Sequence, residues 1–172
     1  QAAKKAPAEA VADYDAGGPD RLHRLALRLA ALTGWRRWGL SFTLGAMASL
    51  SLPPAYALPA LYIAFPLFIW MLAGCGRRAS AFWLGWFFNF GYLAASLYWI
   101  SHALTVYSEA LWWAVPVAAL GLPAVLAVYG GLAALAASFA RSDLTRALGL
   151  ALFWGLGEYL RGTLFTGFPW NL

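Results

Sequence analysis

The sequence predicts an all-α fold: a polytopic transmembrane helix bundle of about five spans with its N-terminus in the cytoplasm. Three observations predict it. Hydrophobic residues make up 62% of the 172 residues and charged residues only 11%, against roughly 25% charged in a soluble domain, so most of the chain faces something other than water. No charge falls within 38–76, 79–108 or 110–140, and each of these runs exceeds the about 20 residues that cross a bilayer. The third observation is the distribution of Lys and Arg. With the N-terminus inside and the spans alternating, the cytoplasmic pieces 1–37, 74–78 and 141–146 hold 11 of the 12 basic residues. Only Arg161 falls outside, as the excess of basic residues in cytoplasmic loops requires.

Residues 1–20 are Ala-rich, polar and mixed in charge, the composition of a disordered tail. Residue 1 is Gln and not Met, so the true start is expected upstream. Residues 21–37 place Leu22, Leu25, Leu29 and Leu32 at helical spacing beside Arg21, Arg24 and Arg28, which predicts a basic amphipathic helix on the membrane surface. The uncharged run 38–76 has Pro53-Pro54 near its middle. Consecutive prolines interrupt helical hydrogen bonding, so two short spans, 38–52 and 58–73, are expected around the turn SLPPAYALP. A third span, 81–100, is rich in aromatic residues, a fourth lies within 111–139, and a fifth covers 147–160. The loops between them are GCGRR, SHALTVYSE and ARSDLTR, and residues 161–172 form an outer-face loop. A secretory signal alone is excluded, because a signal has one short apolar core near the start.

The residues that could carry chemistry are few. Cys75 is the single cysteine, which excludes an intrachain disulfide and a cysteine-cluster metal site. It sits beside Arg77 and Arg78 with no base near it in sequence and reads as a bystander thiol. His23 and His102 show no ligand spacing. No Ser-His-Asp set or phosphate loop is present, so no residue is assigned as catalytic and no metal or cofactor is expected. Within the third span, Gly85 and Gly91 suit close helix packing, and Asn89 should face a neighbouring helix. Glu158 and Arg161, three residues apart, share a helix face. They form either a structural ion pair or a polar floor for a lipid headgroup or an adjoining domain, with the planar guanidinium suited to phosphate. Gly167-Phe168-Pro169-Trp170 is either an interfacial turn or a loop dipping back into the bilayer, which survives there only under protein or water cover.

The segment WGLGEYLRGTLFTGFPWNL, residues 154–172, resembles the apolipoprotein N-acyltransferase family. Trp154, Glu158, Arg161, Gly162, Thr166, Gly167, Phe168, Pro169 and Trp170 match the family's W-x-x-x-E-x-x-R-G-x-x-x-T-G-F-P-W pattern. SLPPAY and GWFFNFGYLAASLYWI are weaker matches upstream, in the family's order, so the resemblance covers roughly 38–172. It implies a bacterial inner-membrane enzyme with a periplasmic active face. A Cys thiolate takes an acyl chain from a phospholipid and passes it to the N-terminal amine of a diacylglyceryl-cysteine apolipoprotein. The implied partners are the phospholipid acyl donor, the diacylated apolipoprotein and membrane lipid, with no nucleic acid. The family's Glu-Lys-Cys catalytic set lies on a nitrilase-like domain to which no position here corresponds, so the chain is expected to be a fragment, inactive alone. Glu158, Arg161, Thr166, Gly167, Phe168, Pro169 and Trp170 would bind substrate or brace that domain. A non-catalytic membrane scaffold and the membrane domain of a polyprenol-phosphate glycosyltransferase are the alternatives. A transporter built of inverted repeats fits poorly, since the spans show no internal symmetry.

Overall fold

The computed structural model describes residues 21–99 and 113–164, with the side chain of residue 164 excepted. The described residues form helices and short connectors, with no strand among them. Six helices are given in full among the described residues: α1 Arg21–Ala30, α2 Gly34–Ala48, α3 Pro59–Ala73, α4 Arg78–Ser96, α5 Leu122–Ala137 and α6 Asp143–Leu164. A π-helical turn, Val117–Gly121, leads into α5. Together they make the 21-residue stretch Val117–Ala137, long and apolar enough to cross a membrane, the one helix among the described residues that is. α3 is as apolar but shorter. The expected tail 1–20, His102 and Glu109 lie outside the described residues, as does the segment 165–172.

Several boundaries differ from expectation: α4 opens at Arg78, within the expected loop GCGRR, and α6 opens at Asp143, within the expected loop ARSDLTR. The helix expected over 21–37 is two pieces. Thr33 is extended (φ −138°, ψ 166°) and Gly34 adopts φ +65°, a left-handed conformation that glycine reaches without steric cost. Residues 34–37 therefore open α2 and do not continue the surface helix. At the other end, Arg161 is helical, not part of a loop, because α6 continues to Leu164. The hydroxyl of Thr163 donates to the carbonyl of Tyr159 at 2.9 Å within the same helix. The turn around Pro53-Pro54 lies where expected, between a 3-10 turn (Ser49–Ser51) and α3, which opens on Pro59. Proline suits that first position because its missing N–H would lack a helical partner anyway.

α4 is the centre of the bundle, with its most extensive contacts to α5 on one side and α2 on the other. Glycine makes these contacts possible. A Cβ on Gly45 of α2 would stand 1.8 Å from the carbonyl oxygen of Phe88, and one on Gly91 of α4 would stand 2.1 Å from that of Phe42. A Cβ on Gly85 of α4 would reach 2.3 Å from the carbonyl oxygen of Gly130 in α5. Here helix backbones touch directly, with no side chain between them. Polar side chains add interhelical bonds. Ser41 donates to the carbonyl of Leu84 at 2.7 Å, Trp86 to that of Ala124 at 3.0 Å and Asn89 to that of Leu126 at 3.4 Å. Asn89 is buried against α5, its Nδ2 bonded and its Oδ1 without a partner among the described residues.

One substitution separates contact from propensity. Gly45→Ala is expected to destabilise the fold by about 1–3 kcal/mol by overpacking. Gly39→Ala in the same helix meets nothing within 4 Å and should stabilise it by up to about 1 kcal/mol through helix propensity. Thermal unfolding in detergent checks both. Equal effects would show that the α2–α4 backbone contact is absent.

Candidate functional site

The site is built on α6. The inward stripe of this helix reads Arg146, Leu150, Trp154, Gly157, Arg161, at steps of 4, 4, 3 and 4. Its outward stripe reads Leu144, Leu148, Leu152, Leu156, Tyr159, all exposed. A soluble helix does the reverse, with charge outside and leucine inside. Arg161 is 1% exposed and Arg146 8%, whereas Leu148 is 63% and Leu152 67% exposed.

Trp154 anchors the stripe. Its ring meets Phe65 of α3 at 5.7 Å and Phe88 and Tyr92 of α4 at 5.8 and 6.3 Å, all edge-on, the arrangement that ring quadrupoles favour. Phe88 in turn packs on Phe68 at 4.5 Å. One turn further, Glu158 and Arg161 form the ion pair the spacing predicts, through Nη2 and Oε2. Tyr92 lies within electrostatic reach of both charges. The Nη1 of Arg161 is buried and has no hydrogen-bond partner among the described residues. A guanidinium carries five donors in a planar fork, so the pair leaves donor capacity for a further acceptor. Of the sequence-predicted site residues, Glu158 and Arg161 are thus brought together. Thr166, Gly167, Phe168, Pro169 and Trp170 lie outside the described residues.

A second polar cluster occupies the other end of the bundle. Arg37, 6% exposed, donates from Nη2 to the carbonyls of Ala30 and Gly74 at 3.4 and 3.3 Å. These carbonyls lie at the C-terminal ends of α1 and α3, where unpaired oxygens attract a cation. Cys75 sits 3.6 Å from Arg37 Nη1. Burial pushes its thiol above the ordinary value of 9.0, against the opposing pull of Arg37 and Arg146. Among the described residues no group of three His, Cys, Asp or Glu side chains could hold a metal ion.

Residues 44–172 match the family model described as apolipoprotein N-acyltransferase N-terminal domain. The chain belongs to this family. Curated apolipoprotein N-acyltransferases align over 87% of the chain: that of Allorhizobium ampelinum is 45% identical over 160 residues, that of Brucella suis 43% over 159 and that of Rhodopseudomonas palustris 41% over 156. The chain spans about 30% of the length of these relatives. In this N-acyltransferase family member, sequence reasoning missed Arg37 as a bridge between helix ends and Tyr92 as the neighbour of the ion pair. The signal for Arg37 was its position four residues before Ser41 on the inward face of α2.

The thiol gives a pH prediction. A raised pKa keeps Cys75 protonated at neutral pH, and only the thiolate reacts. Maleimide labelling of this single cysteine should be slow at pH 7 and should rise to its half-maximum above pH 9.0, the ordinary value. Rapid labelling at pH 7 would contradict the burial.

Proposed function

We propose that this chain is the membrane domain of an apolipoprotein N-acyltransferase. In this reading it lies in the bacterial inner membrane with about five spans and a cytoplasmic N-terminus, and its Arg161 end faces the periplasm. The exposed leucines of α6 and the exposed Tyr62, Ile63, Val125 and Leu132 of α3 and α5 support burial in lipid, since a soluble monomer rarely shows so continuous an apolar surface. The relatives, apolipoprotein N-acyltransferases by name, support the reaction class. In that reaction a cysteine thiolate attacks the ester carbonyl of a phospholipid acyl chain, and the lysophospholipid oxygen leaves and takes a proton. The amine of a diacylated apolipoprotein then attacks the thioester, the amide forms and the thiol is released. Two easier steps replace one hard one.

The role proposed for this domain is to hold and orient, not to transfer. Cys75 is unsuited to the nucleophile's role, with its thiol raised by burial. The observation that carries the site is the buried Arg161, tied to Glu158 with Nη1 unpartnered among the described residues. In this reading Arg161 grips a headgroup phosphate, Glu158 fixes the guanidinium, and Thr166, Gly167, Phe168, Pro169 and Trp170 complete the lining or brace the catalytic domain. An ionisable group at membrane depth is costly and is kept for function.

Removing one partner of a buried pair destabilises a fold, while removing both is far milder. The informative variant is therefore Glu158→Leu with Arg161→Leu in the full-length enzyme. We expect a folded protein whose acylation rate falls about 10-fold or more, the value of a charged hydrogen bond of about 1.5–3 kcal/mol. Arg161→Lys should retain part of the rate. Full activity in the folded double variant would reduce the pair to packing and sink the assignment.

A further inference from the structure

We propose that α1 carries a binding site for the headgroup of an anionic phospholipid, separate from the Glu158–Arg161 site. Arg21, Arg24 and Arg28 recur at steps of three and four, so they share one face of α1. All three are exposed. With Leu25 they line a groove of about 360 Å³. α1 carries no acidic residue, and no carboxylate among the described residues pairs with these arginines. The groove thus concentrates three positive charges.

Two features select a lipid over a soluble anion. Leu22 and Leu25 stand exposed beside the arginines, at 65% and 40%, and offer apolar surface to an acyl chain. Trp35, 78% exposed, lies just after α1 with Arg36 over its ring at 5.8 Å, the amphipathic pairing found at membrane interfaces. The helix is also held in place. Leu29 is buried in the core, α1 packs on α3, and Arg37 clasps the carbonyl of Ala30. The arginines are therefore presented on a fixed scaffold, at the end of the bundle where Cys75 feels Arg146, not at the Arg161 end.

The test is native mass spectrometry of the purified chain in neutral detergent with dioleoyl phosphatidylglycerol, and dioleoyl phosphatidylcholine as the uncharged reference. The chain should retain phosphatidylglycerol in preference. Arg21→Gln/Arg24→Gln/Arg28→Gln should weaken that binding roughly 100-fold, from about fivefold per charge at an anionic surface. Lysine at the same three positions should keep most of it. Undiminished phosphatidylglycerol binding by the glutamine variant overturns the proposal. Displacement of the lipid by excess inorganic phosphate assigns the groove to a soluble anion and also overturns it. A photoactivatable phosphatidylglycerol on the unsubstituted chain answers without any variant: adducts on residues 21–28 support the site, and adducts confined elsewhere contradict it.

Discussion

The backbone of α4 touches the backbones of two other helices, and the positions of the remaining elements follow from that contact. Gly45 and Gly91 let α2 and α4 approach until carbonyl oxygens occupy the space a Cβ would need, and Gly85 does the same toward α5. A side chain at any of these points would push the helices apart. The separation would break the Ser41–Leu84, Trp86–Ala124 and Asn89–Leu126 hydrogen bonds, and buried donors without acceptors are costly. The contact also places Phe88 and Tyr92 where Trp154 meets them. Trp154 fixes the rotation of α6, and that rotation turns Arg161 inward. The glycines of α4 are thus mechanically upstream of the ion pair.

The two ends of α6 use arginine in different ways. Arg146 faces inward at the N-terminal end, where it bonds Asp143 and, at 3.1 Å, the carbonyl of Ala140. Arg161 faces inward 15 residues later, about 22 Å along the axis at 1.5 Å per residue. Arg146 spends both terminal nitrogens on local groups, as Arg37 does on Ala30, Gly74 and Cys75, and each leaves only Nε without a partner among the described residues. Arg161 bonds Glu158 and keeps a terminal nitrogen, Nη1, unpartnered among the described residues in a buried setting. That difference separates a guanidinium that ties helices together from one that retains capacity to bind.

Much of this was legible in the sequence. The all-helical class follows from long uncharged runs, and the α2–α3 turn from Pro53-Pro54. Gly85, Gly91 and Asn89 stood out because glycine and a lone amide among large rings have few other uses. The Glu158–Arg161 pair followed from spacing alone. What stayed hidden depended on partners distant in sequence. Arg37 sat among surface-type arginines, and only folding brings the Ala30 and Gly74 carbonyls to it. The break at Thr33-Gly34 lay inside a continuing Leu/Arg periodicity, which masks a change of axis. The end of α6 was set too early, at residue 160, whereas the helix runs on to Leu164 with the Thr163 hydroxyl bonded back to Tyr159.

The central claim is that α6 is turned with its arginines inward and its leucines toward lipid. Its most direct test is the collisional accessibility of nitroxide labels placed singly along residues 144–160 of the chain in bilayers. The account predicts oxygen accessibility that peaks at 148, 152, 156 and 159, falls at 150, 154 and 157, and has no matching access to a water-soluble nickel reagent at the peaks. Nickel access at 148 and 152, or a profile without helical period, would contradict it.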